Sequence, residues 1–132
     1  MSDRGKQLAP IRVMIVDDHA VVRSGLSAFL LAFDDLELVG EAGGGEEAVR
    51  RCQQVRPDVV LMDLVMPGMD GAETMKAIKQ FAPETPFIIV TAYENSPIAA
   101  EVQREGVLHI FQKPLVIEEL VNYVTRMREK KG

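Results

Sequence analysis

Two stretches of this chain, Val59–Met62 (VVLM) and Phe87–Val90 (FIIV), contain no polar residue, and a third, Ile11–Val16 (IRVMIV), contains only Arg12. Such runs are short for helices and lack the alternation of a strand with one wet face. They predict strands buried on both sides, the pattern of a parallel sheet covered above and below. Between them the periodicity becomes helical. From Ala20 to Phe33, apolar residues fall at Val22, Leu26, Phe29, Leu30 and Phe33, one side of a helix. Leu36–Ala42 (LELVGEA) alternates as a half-exposed or edge strand does. After the Gly43-Gly44-Gly45 break, Ala48, Val49, Cys52 and Val55 line a helix that opens with Glu46 and Glu47, where the helix dipole favours acids, and stops at Pro57.

Ala72, Met75, Ile78 and Ala82 mark a third helix. A weak one, from about Pro97 to Glu105, has only Ile98, Ala99 and Val102 on its apolar face. Leu108–Phe111 reads as the last strand, and Ile117, Leu120, Val121, Val124 and Met127 give a final helix to about Arg128. Strictly alternating strands and helices, with right-handed crossovers, predict an α/β fold: a doubly wound, five-stranded parallel sheet with five helices in three layers.

The bulk numbers bound the rest. A length of 132 residues suits one domain, expected over residues 11–130 behind a polar leader at residues 1–10. With 47% hydrophobic residues, a core forms without metal or disulfide staples, and Cys52 is the only cysteine, which fits a reducing compartment. A net charge of −5 argues against direct nucleic-acid binding. The start lacks an apolar signal region and no apolar run approaches the roughly 20 residues of a membrane span, so a soluble, cytoplasmic domain is expected.

In doubly wound sheets, function sits outside the carboxyl ends of the strands. Those ends carry Asp17-Asp18, Asp63, Thr91 and, just past the last strand, Lys113. Clustered carboxylates repel unless a cation intervenes. Oxygen-only ligands suit Mg²⁺, and there is no Cys/His cluster for zinc. A carboxylate such as Asp63 can act as a nucleophile toward phosphorus, with a metal and a lysine supplying charge stabilisation. The run Asp63–Gly71 (DLVMPGMDG) turns tightly beside that carboxylate, and Lys113-Pro114 is a candidate cis peptide that would aim the lysine inward.

Taken together, Asp17-Asp18, the Asp63–Gly71 run, Thr91-Ala92 and Lys113-Pro114 resemble the receiver domains of two-component response regulators over about residues 11 to 128. The opening IVDDHAVVRSGL is most similar to receivers of the NarL/FixJ class, which usually carry a C-terminal DNA-binding helix-turn-helix; such a domain would follow beyond Gly132. The resemblance implies a flavodoxin-like (βα)5 topology with strand order 2-1-3-4-5. It implies that Asp63 is the phosphoacceptor, and that Asp18, Asp63 and the Val65 carbonyl ligate Mg²⁺, with Asp17 acting directly or through water. Thr91 and Lys113 would hold the phosphoryl group. The implied partners are a sensor histidine kinase or phosphotransfer protein and a possible homodimer mate. One departure stands out: the family's aromatic switch residue, three before the lysine, is Ile110 here, and Phe111 would point to the opposite face.

Plainer readings exist for each residue. Asp17-Asp18 could cap the first helix, Asp63 could be a turn residue, Thr91 an ordinary strand residue and Lys113 a surface one. His19 would simply start the helix, Cys52 and the seven methionines would pack, and Gly43–Gly45 lacks a phosphate-loop pattern. A phosphorylation-independent interaction module is the competing function. A flavin or nucleotide protein of the same fold is a third, disfavoured because Asp17-Asp18 would repel a phosphate.

Overall fold

The structure is a computed structural model, and it describes residues 9–131, with side chains through residue 127. Of the expected leader, residues 1–8 lie outside the described residues. The elements alternate: β1 (Ile11–Val16), α1 (Ala20–Leu30), β2 (Leu36–Ala42), α2 (Gly45–Val55), β3 (Val59–Met62), α3 (Gly71–Phe81), β4 (Phe87–Thr91), α4 (Pro97–Glu105), β5 (His109–Gln112) and α5 (Ile117–Lys131). All pairings are parallel, and the strand order is β2-β1-β3-β4-β5. The doubly wound, flavodoxin-like sheet anticipated from the sequence is therefore present.

Alternate residues along each strand divide the core in two. On one side Met14, Val16, Val60, Met62, Phe87 and Ile89 pack against α2, α3 and α4. On the other, Val13, Ile15, Val59, Leu61, Ile88 and Val90 pack against α1 and α5. This double burial is why β3 carries no polar residue and β4 none before Thr91. Cys52 is buried on the α2 side, as its apolar stripe suggested, and burial raises its thiol pKa although Arg56 partly offsets the effect. Arg12, the one polar residue of β1, serves the opposite end of the sheet. Its guanidinium donates to the carbonyls of Val55 and Arg56 at the end of α2, and its backbone N–H donates to Asp58 Oδ2 at 2.8 Å.

Helix starts follow their caps. Asp70 and Glu73 form a capping box on α3, Asp70 Oδ1 accepting from Glu73 N–H and Glu73 Oε1 from Asp70 N–H, each at 2.9 Å. Ser96 caps α4 and Pro97 is its first residue. Some boundaries differ from the sequence reading, α1 and β5 among them. α1 ends at Leu30, because Ala32 and Phe33 N–H groups bond three residues back, to Phe29 and Leu30, in a tightened last turn; Phe33 still packs on the core from that turn. β5 is His109–Gln112 rather than Leu108–Phe111, one residue later at both ends.

The buried side of α3 gives a clean stability test. Ile78→Ala, at a fully buried site, should cost about 2–5 kcal/mol in urea unfolding. Val21→Ala, at a residue 84% exposed on α1, should stay within about 0.5 kcal/mol. Equal effects would contradict the packing described.

Candidate functional site: an acidic cluster with a bridging lysine

Parallel register brings the strand ends together. Asp63 N–H donates to Val16 O at 3.0 Å, so the residue after β3 lies beside the end of β1, and Asp17 N–H donates to Ala42 O at 3.1 Å. Lys113 N–H donates to Thr91 O at 2.9 Å, which places the start of the β5–α5 loop beside the end of β4. The Lys113–Pro114 peptide is cis.

From that backbone position Lys113 Nζ donates to Asp17 Oδ2 at 2.9 Å and to Asp63 Oδ2 at 3.2 Å. Asp17 and Asp63 are only 3% and 5% exposed. Burial of Lys113 by itself would lower its pKa, but the hydrogen bond to Asp17 and the charges of Asp63 and Asp17 outweigh it and hold the ammonium above the ordinary lysine value.

The remaining oxygens are distributed as follows. Asp63 Oδ1 accepts from Leu64 N–H at 2.7 Å. Asp17 Oδ1 accepts from His19 N–H at 2.8 Å, and His19 Nδ1 stands 3.0 Å from the same oxygen. Asp18 Oδ1 is buried and has no hydrogen-bond partner; the ring nitrogen His19 Nδ1 lies 3.2 Å from it. One ligand atom from each of Asp17, Asp18, His19 and Asp63 fits within a 4.8 Å span. Three carboxylates with an orphaned oxygen fit a hard divalent cation. The capping alternative for Asp17-Asp18 does not hold, since the N-cap of α1 is His19 and no side chain caps that helix.

Thr91 is fully buried at the end of β4, and its hydroxyl accepts from Tyr93 N–H at 3.1 Å. The structure thus joins Asp17, Asp18, Asp63 and Lys113, while Thr91 borders them and its hydroxyl is engaged by its own loop. Val65 lies two residues past Asp63 with its side chain 42% exposed. Gly71 is required by close approach: a Cβ there would stand 2.9 Å from Leu64 Cα and 3.0 Å from Asp63 O, both backbone atoms. Arg23 was not singled out from the sequence, yet its guanidinium donates to Asp17 O and pairs with Glu41 at 3.4 Å, fastening the loop that carries the acids. The signal available was its place one turn into α1, since helical side chains lean toward the N-terminus.

A five-stranded parallel α/β sheet with three carboxylates and a bridging ammonium at its carboxyl edge has the architecture of a receiver domain. Residues 13–125 match the family described as the response regulator receiver domain, and the chain belongs to that family. It is 40% identical over 114 residues to the transcriptional regulatory protein LiaR of Bacillus subtilis, covering 86% of this chain and 54% of that protein. The receiver domain of the putative response regulator NarL from Mycobacterium tuberculosis superposes with a TM-score of 0.83 at 29% identity, covering 92% of this chain and 98% of that one. The isolated receiver of RcsB from Salmonella enterica serovar Typhimurium gives 0.80 at 25% identity, covering 91% and 89%. The chain spans about half the length of the curated relatives it matches.

Because the pKa of Lys113 is raised in the folded state, its stabilising contribution is complete below the ordinary lysine value and is lost as pH climbs through the higher folded value. The difference in unfolding free energy between wild type and Lys113→Met should therefore be flat from about pH 7 to 10 and shrink only above that. Shrinkage already between about pH 7 and 9 would contradict the bridge.

Proposed function

We propose that this domain is a phosphorylation switch in which Asp63 accepts a phosphoryl group from a sensor histidine kinase or phosphotransfer protein. The observation that carries the reading is the placement of Lys113 Nζ between Asp17 and Asp63 at the carboxyl edge of the sheet. Leu64 N–H fixes one Asp63 oxygen, so the other, on the lysine side, is presented for attack. That oxygen forms a bond to phosphorus as the bond to the donor breaks, leaving an aspartyl-phosphate and a released donor.

Asp18, with its orphaned buried oxygen, Asp17, Asp63 and the Val65 carbonyl are the groups that would hold Mg²⁺. Bound there, Mg²⁺ would offset charge on the phosphoryl oxygens. Lys113, released from part of its aspartate contact, would pair with one phosphoryl oxygen, and the Thr91 hydroxyl would donate to another after turning from Tyr93 N–H. The structure of the isolated RcsB receiver is one in the presence of phosphomimetic BeF3⁻, and the same chemistry is expected here.

A protein donor needs a place to sit beside this mouth. An apolar groove of about 350 Å³ runs along Val21, Gly25 and Phe29 of α1 to Pro114, Leu115 and Lys113 itself. Its continuity with the proposed phosphoryl site suits it to a helix of the phosphodonor. The output is a change at the face of α4, β5 and α5, read by a second copy or an attached effector domain. A phosphorylation-independent interaction module is disfavoured, since it would need neither the carboxylates nor Lys113.

Incubation with acetyl phosphate and Mg²⁺ should add one phosphoryl group by intact mass, absent in Asp63→Asn and after chelation. Val21→Glu should keep that labelling while slowing transfer from a phosphorylated kinase. Labelling that survives in Asp63→Asn, or none in the wild type, would overturn the reading.

A further inference from the structure

We propose that His19 is a fourth donor of the acidic site, so that the domain binds borderline divalent ions such as Co²⁺ or Zn²⁺ through an imidazole nitrogen, and Mg²⁺ through oxygen alone. This rests on the reading of Asp17, Asp18 and Asp63 as a cation site. His19 Nδ1 lies 3.0 Å from Asp17 Oδ1 and 3.2 Å from Asp18 Oδ1. It therefore points into the gap between the two acids, where a cation would stand. The ring is not committed elsewhere: His19 is the N-cap of α1 but makes no side-chain cap hydrogen bond. Its side chain is 60% exposed, so the ring can yield the small distance needed to admit an ion.

The chemistry separates two classes of ion. Mg²⁺ is hard, prefers oxygen and retains water, so an imidazole adds nothing to its coordination. Co²⁺ and Zn²⁺ accept imidazole readily and bind mixed nitrogen and oxygen sites more tightly. The ring nitrogen stands 3.2 Å from the orphaned Asp18 oxygen, which places the imidazole donor and the acid side by side. The site would then be selective for Mg²⁺ only where softer ions are scarce.

Calorimetric titration of wild type and His19→Ala with Mg²⁺ and with Co²⁺ tests this directly. His19→Ala should weaken Co²⁺ by about tenfold or more, at least the scale on which losing even an outer-shell partner of a ligand weakens a metal site, and change Mg²⁺ by no more than about twofold. A second measurement needs no variant. In protein labelled with ¹⁵N-histidine, Zn²⁺ should shift the ring nitrogens of His19 strongly and those of His109, the chain's other histidine, little. Mg²⁺ should move neither strongly.

Equal losses of both ions in His19→Ala, tighter binding of both, or an unmoved His19 resonance under Zn²⁺ would overturn the role of His19 and leave the acidic site standing. Failure of Mg²⁺ to bind the wild type would overturn the acidic site and this inference with it.

Discussion

The structure depends on one ammonium group shared by two buried carboxylates. Asp17 and Lys113 are 96 residues apart in sequence, and Asp63 and Lys113 are 50 apart. Without a cation, two acids this poorly exposed at the edge of an apolar sheet would carry a desolvation cost of several kcal/mol each. With Lys113 between them the charges are partly compensated, and three strand pairings, β1 with β3, β3 with β4 and β4 with β5, must close in register for the contact to exist. The same bridge that makes the buried acids tolerable gathers the groups for which, in the proposed function, a divalent cation or a phosphoryl group would compete. Stability and the proposed chemistry thus draw on a single arrangement, in which the lysine would exchange one set of oxygens for another.

The sequence was most legible where burial left no choice of residue. β3 and β4 face helices on both sides, and VVLM and FIIV admit no other reading. β5 was less legible because it is an edge strand whose four residues include only one buried side chain, Phe111. Leu108 looked like its first residue, yet it is 40% exposed and sits ahead of the paired segment. The acids and the lysine could be picked out because strand ends are where a doubly wound sheet gathers function. Their individual bonds could not, since which oxygen meets which donor depends on register and rotamer. Arg12 and Arg23 were invisible for a related reason. Both donate to backbone carbonyls, which every residue possesses, and the side-chain partner of Arg23, Glu41, lies on a different element 18 residues away. The Asp70–Glu73 capping box lay in plain view as D-x-x-E but was read only as part of a turning loop.

The departure at Ile110 has a definite structural consequence. Ile110 packs toward α2, α3 and α4, whereas Phe111 belongs to the core beneath α1 and α5. The aromatic content of this face is gathered behind Phe111: His109 lies 4.5 Å from it edge-on, and Tyr123 of α5 is 5.9 Å away and perpendicular. Tyr123 also donates its hydroxyl hydrogen bond to Leu108 O at 3.0 Å, tying α5 to the entry of β5. The rings therefore brace β5 against α5, and a branched aliphatic chain fills the position from which a ring would swing.

Another connection runs from Asp63 to α4 through α3. The Asp63 loop ends at Asp70 and Gly71, where α3 is capped and where Gly71 N–H donates to Leu64 O at 2.8 Å. Further along α3, Lys76 pairs with Glu101, and Lys79 Nζ donates to Glu105 O at 2.7 Å, so two lysines hold α4 from the side. α4 itself buries only Ala99 and Val102. A helix with so little apolar surface at stake can be displaced at lower cost than its neighbours. Its position is then set by polar ties, and polar ties near a surface are individually weak. In the proposed switch, a pull on the loop after Thr91, combined with a small shift of the Asp63 loop carried along α3, would act on the element least able to resist. That coupling needs no rotating ring, which is consistent with an aliphatic residue at position 110.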